Sequence, residues 1–581
     1  MAEDRAEPRE VTWRTLLPWT ELFRGFQIAL DLNKLLLAAA GLLMTALGWW
    51  LLAFIFGAGY KDTPPTWNTG SKDTSEWRKY KTERDNWNLM HKAAGIGKED
   101  SKYEAVDLAE SLDDLEQYDT GKLDASKKAR YERLIGTPKP SGLMSTWPWF
   151  ENRGPNPFML ATGQVNADWE TGHFWEWFAF KQAPVLIEPL VKFLRPIIYF
   201  FSPQASGWTR FYFLCVMIVT LAVWSLFGGA ITRIAAVQIA RNERIGMSEA
   251  VRFTWKRMLY YVTAPLFPLV FVFGLLIVMM VFGYFSMIPI FGDIVVSGLL
   301  WWVMLGFGLL MAVALVGLVG WPLMSATIST EGTDSWEAVS RSYTYVFQKP
   351  WQYIWYSLVS ISYGAVVVFF VGFMGSFMVY MSKWGVSQTL GITAANREPS
   401  FLFVYAPTSF HWRDLLLDGV VVDQQKLVQD GKINEDVYKK YVGRDEKYQG
   451  KDDQLSWWNK FGAGLVAFWV GLLFLLVLGF GYSFFWSSAT IIYLLMRKKV
   501  DTAEMDEVYL EEDDQEGAYG GALVPPAAAP TPAPASKGTP LQMVDAPMLK
   551  TPAPEPAPAA TDVKPAETPP STDGPAAAPP S

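Results

Sequence analysis

DSWEAVSRSYTYVFQKPWQYIWYSL, residues 334–358, reads as a helix lying on a membrane that turns directly into a helix crossing it. Trp336, Val339, Tyr343, Val346 and Phe347 fall at i, i+3, i+7, i+10 and i+11, one face of a helix. Glu337, Arg341, Thr344 and Gln348 take the other side. Asp334 is placed to cap this helix and Glu337 to reach back to it, a capping-box pattern. Pro350 ends the surface helix, and Trp351 to Tyr380 is almost entirely apolar.

The pattern occurs three times. Ser248, Val251, Trp255, Met258 and Leu259 repeat the offsets 88 residues upstream, with Gly246 at the cap position and Glu249 matching Glu337. Trp19, Leu22, Phe26, Ala29 and Leu30 repeat them 317 residues upstream; Arg24 matches Arg341, Gln27 matches Thr344, and Pro18 occupies the first turn, where proline is tolerated. Spacing of this kind marks any amphipathic helix. What argues for a repeat is that an apolar run follows each copy, long enough for a bilayer core of ~30 Å, which takes ~20 residues.

Counting from these elbows gives six spans: Lys34 to about 57, then 208–240, 259–285, 294–328, 351–380 and 461–496. The fold expected is an all-α membrane protein, a six-span bundle of three helix hairpins with amphipathic elbow helices on the cytoplasmic side. Its divisions are 1–60 (elbow and first span), 61–207 (first extracytoplasmic region), 208–380 (spans two to five), 381–460 (second extracytoplasmic loop), 461–499 (span six) and 500–581 (tail). Pro265 and Pro268 predict a bend in span three. Spans two, four and six run longest, about 50 Å at ~1.5 Å per residue, and should tilt or project. Spans four and six also end alike, in Ser325-Ala326-Thr327-Ile328 and Ser488-Ala489-Thr490-Ile491. Within the first large loop, residues 184–200 carry Glu188, Lys192 and Arg195 on one stripe of an apolar helix, predicting an interfacial helix on the outer membrane surface with those charges in water.

Charge places the two sides. Arg241, Arg244, Arg252, Lys256, Arg257 and the run Arg497-Lys498-Lys499 fall on the elbow side, and the short 286–293 loop opposite has no basic residue, which predicts cytoplasmic termini. The first apolar run is too long for a signal-peptide core and reads as an anchor. The single cysteine, Cys215, lies in an apolar run, so the outer loops need no disulfide. Residues 500–516 hold nine acidic residues and no basic one, and 522–581 hold 17 of the 37 prolines. That composition predicts a disordered tail. A net charge of −8 gives no reason to expect nucleic acid.

Chemistry-bearing residues are sparse. Arg233 near the inner end of span two, and Lys34 and Arg210 at span ends, are expected to reach the head groups. His91, His173 and His411 fall in the outer loops; His173 has Asp168, Glu170 and Glu176 nearby, more simply a polar surface between tryptophans than a metal site. No common catalytic or nucleotide-binding motif occurs, so no catalytic, cofactor-binding or metal residue is assigned and an enzyme is not expected. Gly372 with Ser376, and Ala463 with Ala467, form small-xxx-small pairs, and Gly306, Gly308, Gly317 and Gly320 predict close approach to span four.

SWEAVSRSYTYVFQKPW resembles the membrane domain found beside bacterial glycerophosphodiester phosphodiesterases, whose phosphodiesterase domain is not in this sequence. LNKLLLAAAGLLMTALGWW and SATIIYLLMRKKVDTAEMDEVY resemble uncharacterised planctomycete inner-membrane proteins. The resemblance implies a bacterial inner-membrane bundle and no catalytic residue. Three two-span repeats are also the plan of mitochondrial carriers, but their Pro-x-Asp/Glu-x-x-Lys/Arg motif is not found at equivalent positions. The expected function is a non-enzymatic membrane scaffold or interaction protein, in contact with membrane lipids and holding a cytoplasmic protein partner through its tail. The alternative is an uncoupled permease or lipid-handling subunit.

Overall fold

The computed structural model describes residues 17–57, isolated helical positions between 75 and 90, 156–165, 174–391, 399–443 except 423 and 430, and 455–510. The 1–16 segment, most of the first large loop and the 511–581 tail, with its expected disorder, lie outside the described residues.

Six helices are long and apolar enough to cross a membrane: Leu32–Phe56, Gly207–Arg241, Met258–Ser286, Trp301–Leu318, Pro350–Ser387 and Trp457–Val500. The fold is an all-α multi-pass membrane bundle with the elbows at one end, the elbow face, and the large connections at the other, the loop face. Elbow two is a helix over Met247–Lys256 with Gly246 at its N-cap. Elbow three is a helix over Ser335–Gln348, and the Asp334 carboxylate accepts the Glu337 N–H at 2.9 Å. Elbow one differs in its turns: Pro18–Arg24 is 3-10 and only Gly25–Ala29 is α-helical.

Each elbow packs a small residue on the elbow-side half of an even-numbered span. Thr254 lies where a Cβ on Gly229 of span two would stand, 2.6 Å from its methyl. Ser342 donates to the Gly320 carbonyl beside span four at 2.8 Å. Gly25 faces Phe484 and Ser488 of span six, so elbow one closes a ring begun by the other two. Two tryptophans of the same pattern point elsewhere: Trp255 is 64% exposed and Trp336 69%, the position of lipid anchors, whereas Leu22 and Val346 are buried. The stripe therefore turns these two rings to lipid and packs its small residues, with Leu22 and Val346, on protein.

Span four is broken. A π-helical turn over Gly292–Leu299 precedes Trp301–Leu318, and a second helix, Trp321–Glu331, follows the break. Pro322 has no N–H to return to Leu318. At the same point Gly320 admits Ser342 and Val346 too closely for any side chain.

Tertiary packing at the centre is aromatic. Trp224 stacks on Tyr482 at 4.6 Å, Trp321 meets Trp486 edge-on at 5.3 Å, and Phe193 stacks on Trp321 at 4.4 Å. Gly228 lets the Trp486 ring lie against span two. Lipid is as apolar as these rings, so fit rather than water exclusion holds the helices, with each ring pair adding about 0.5–1.5 kcal/mol.

Residues 184–200 differ from the surface helix expected. The chain before them descends along span five: Trp177 meets Phe369, Gln182 donates to the Ala365 carbonyl at 3.0 Å, and Leu186 lies against Gly364. It turns through Ala183–Ile187, where Leu186 joins Phe26, Ala29 and Phe484 in one cluster with elbow one. The helix Glu188–Phe200 then climbs beside span two, Phe193 at Trp321 and Tyr199 at Phe213. This is a re-entrant hairpin. Lys192 is 5% exposed, its ammonium 5.6 Å above the Trp49 ring, and Glu188 accepts from the Tyr482 hydroxyl at 3.3 Å. The polar stripe found ring and hydroxyl partners inside the bundle, which a surface helix would not need.

On the loop face the helix Trp412–Leu417 lies against span five, and two short antiparallel ribbons, Val421–Val422 with Gln425–Lys426 and Val428–Gln429 with Lys432–Ile433, follow it.

Candidate functional site

The strongest concentration of interacting charge among the described residues lies on the elbow face, where span four, elbow three, span six and the segment after span six meet. Glu331 ends the Trp321–Glu331 helix, and Gly332, at φ +68°, reverses the chain with its N–H on Ile328. The Glu331 carboxylate accepts from the Tyr493 hydroxyl at 2.6 Å, from Arg341 at 2.8 Å and from Arg497 at 3.5 Å. Arg341 turns its other edge to Glu337, at 2.7 and 3.0 Å, a pair one turn apart on elbow three. Tyr345 donates to the Asp501 carboxylate. One carboxylate thus ties three helices through a phenol and two guanidinium groups.

Span six ends at Val500, but ordered chain continues and folds back as a strap. Arg497 holds it: one guanidinium nitrogen donates to the carbonyls of Glu504 and Glu507, both at 2.8 Å. Farther along, the Tyr509 N–H donates to the Thr330 carbonyl at 2.8 Å. The Tyr509 ring lies 5.2 Å from the Arg257 guanidinium and fills the space over Gly332, where a Cβ would stand 2.8 Å from it. Val508 is buried beneath the strap. The strap closes one side of a cleft of about 680 Å³, lined among others by Arg241, Glu331, Arg341, Arg497, Asp501 and Tyr509.

Electrostatics fixes the protonation of Tyr345 and Arg341. Burial pushes the Tyr345 hydroxyl up, and its hydrogen bond to Asp501 and the Asp501 and Glu331 charges push it further, so it stays a neutral donor. Burial works against the Arg341 charge, but the Glu337 hydrogen bond and the Glu331 carboxylate more than reverse it, and the guanidinium stays charged. A phenol held as a neutral donor and a guanidinium held charged suit a site that holds polypeptide.

The residues singled out from sequence fall elsewhere. Arg233 does not reach the head groups: it is 5% exposed, donates to the Ser329 carbonyl at 2.8 Å and lies 4.1 Å from the Phe253 ring of elbow two. Lys34 is buried and donates to the Gln238 side chain at 2.8 Å. Both were assigned to head groups because sequence position alone does not show the elbows covering these span ends. Arg210 is exposed. His411 pairs with Asp414, Nδ1 to Oδ2 at 2.6 Å, and Asp414 also accepts the Ile433 N–H. His91, His173, Asp168 and Glu170 lie outside the described residues, and among the described ones no group of three or more His, Cys, Asp or Glu forms a metal cluster. Ser376 accepts from Asn156 and Trp412, so the Gly372–Ser376 pair seats loop residues rather than another span. Gly317 and Gly320 meet Tyr343 and Ser342 of elbow three, whereas Gly306 and Gly308 face open space.

Sequence reasoning missed the Glu331 cluster and the strap. A signal was present in the basic run 497–499 followed at once by acidic residues, but a run of charge does not show that its backbone will be captured. Comparison with family models, with curated proteins and with solved structures returns no match.

Proposed function

We propose that the protein is a non-enzymatic scaffold of the bacterial cytoplasmic membrane, with both termini inside, which presents its tail to a cytoplasmic protein from a fixed point. The observation that carries this reading is the strap. Three helices and the first ordered residues after span six converge on Glu331 and Arg497, so the chain leaves the bundle from a defined place. The basic residues of the elbow face support the inside assignment, and the interlocked aromatic centre supports a rigid body. The test is in-cell photocross-linking from position 536, with position 408 on the loop face as the control, together with a melting measurement on the chain lacking 511–581. A discrete protein adduct from 536 and not from 408, with the truncated protein inserting and melting as the full chain does, is the expected result. The absence of any discrete protein adduct overturns the reading.

One observation favours an uncoupled permease as a second reading: the re-entrant hairpin brings Glu188, Lys192 and an irregular turn into the bundle, and such elements persist in membranes where they serve a path. Solute release from liposomes carrying the protein, above that of empty liposomes and independent of an imposed pH gradient, is the outcome that selects it.

A further inference from the structure

The strap is seated as a peptide ligand is seated. Its backbone is held at both ends: the Arg497 guanidinium donates to the Glu504 and Glu507 carbonyls at 2.8 Å each, and the Tyr509 N–H donates to the Thr330 carbonyl at 2.8 Å. Its apolar side chains enter the surface. Met505 packs on the cluster of Leu323, Tyr345, Tyr493 and Met496, and Val508 is buried. The Tyr509 ring covers Gly332 and lies 6.5 Å from the Phe253 ring, and its hydroxyl accepts from Arg257, at the end of elbow two, at 3.3 Å. Main-chain bonds that give grip, with side-chain pockets that give choice, are how folded proteins recognise extended polypeptide.

Two features make this seat exchangeable. The chain leaves span six and reverses through Thr502, a β-branched residue at φ +57°. The left-handed region is strained for such a side chain, so the strap carries a strain that a separate segment, with no such turn to make, would not. The strap also leaves space. The cleft of about 680 Å³ stays open beside it, and Glu504 and Glu507 turn their carboxylates outward, 70% and 68% exposed. Against this the strap has its tether, which for a short linker is an effective concentration of about millimolar. Exchange therefore calls for a segment that uses the same anchors without the strain.

We propose that the groove is a recognition site for an extended acidic segment bearing a branched apolar residue followed by tyrosine, that residues 504–510 are its resident occupant, and that such a segment of the cytoplasmic partner displaces them. The acidic character follows from Glu507, whose carboxylate stands 3.7 Å from Arg497, and from Arg241 in the lining of the open cleft. The partner is that of the scaffold reading, on which this step rests. Displacement frees the chain from Thr502 onward, so capture of the partner lengthens the tether of the tail.

The test uses the full chain in detergent and a fluorescent peptide of residues 503–510, AEMDEVYL. In the full chain carrying Val508→Asp with Tyr509→Ala the strap is out of its seat, and the peptide should bind. The parent should bind it roughly tenfold more weakly, because only the strap-open fraction is competent. Peptides carrying Val508→Asp or Tyr509→Ala should bind neither. Thr502→Asn suits the left-handed region, so in an otherwise unaltered strap it should tighten closure and weaken the peptide further. Displacement itself is read from a nitroxide at Ala503→Cys in a Cys215→Ser chain with its strap in place, whose spectrum should narrow on addition of unlabelled peptide. No binding to a strap-open chain that melts as the parent does overturns the recognition site. A nitroxide unmoved by the peptide overturns displacement, whether or not the strap-open chain folds. Equal affinity in Thr502→Asn and the parent overturns the strained return. A protein adduct from position 536 in a chain that takes no peptide removes the groove and leaves the scaffold, whereas peptide exchange without that adduct does the reverse.

Discussion

Replacing Arg497 with methionine isolates what docks the strap. Methionine keeps most of the buried stem and removes the fork. Lost are two charge-assisted hydrogen bonds, to the carbonyls of Glu504 and Glu507 at 2.8 Å each, and longer contacts to the carboxylates of Glu331 at 3.5 Å and Glu507 at 3.7 Å. Hydrogen bonds to charged groups contribute about 1.5–3 kcal/mol apiece. Part of that is returned because both carbonyls gain water once the strap opens, so the net loss is about 2–4 kcal/mol. Glu331 is not orphaned, since Arg341 and Tyr493 still reach it at 2.8 and 2.6 Å. The damage should therefore stay local. Hydrogen exchange of the Tyr509 amide, which is bonded to Thr330, reads strap opening directly. Its protection should fall roughly a hundredfold, since each 1.4 kcal/mol is tenfold, while amides in spans two and six keep theirs. Arg497→Lys restores charge without the planar fork and should lie between. A Tyr509 amide unchanged in Arg497→Met would refute the claim that this guanidinium holds the strap. Loss of protection throughout span six would refute the claim that it acts only there.

Three further outcomes are expected. Gly229→Val should lower stability by about 1–3 kcal/mol through overpacking against Thr254, whereas Gly274→Ala, with nothing within 4 Å of the new carbon, should be neutral or raise it by up to about 1 kcal/mol; thermal unfolding in detergent compares the two, and equal effects would count against the elbow contact. Tyr343, which donates to the Ala314 carbonyl, is pushed up to about 12 by burial. Because the folded value lies above the unfolded one near 10, its stabilisation is complete below pH ~10 and declines as pH rises toward 12; stability measured from pH 9 to 12 should fall less steeply in Tyr343→Phe than in the parent. Thr408→Cys should label from the outside of intact cells and Ala503→Cys on the strap only after permeabilisation, and the reverse pattern would invert the topology.

Much of the fold was written in local sequence. Apolar runs of the length of a bilayer, and a helical stripe repeated at Trp19, Ser248 and Trp336, are one-dimensional signals, because both membrane thickness and helix period act on consecutive residues. Asp334 caps its helix as its position implies, since a cap is a contact three residues long. The fate of a charge was not legible in this way. Lys192, Arg233 and Lys34 look from sequence like groups bound for water, yet each is buried against a partner far away in the chain, Trp49, Ser329 and Gln238. Whether residues 184–200 lie on the surface or enter the bundle depended on the space between spans two, five and six, and on rings such as Trp321 offering a surface to Phe193. The strap likewise needed Arg497, Thr330 and Gly332 brought to one place. Periodicity and length decided which segments cross the membrane; only tertiary structure decided which polar groups stay in it, because that balance is set by partners that no local pattern encodes.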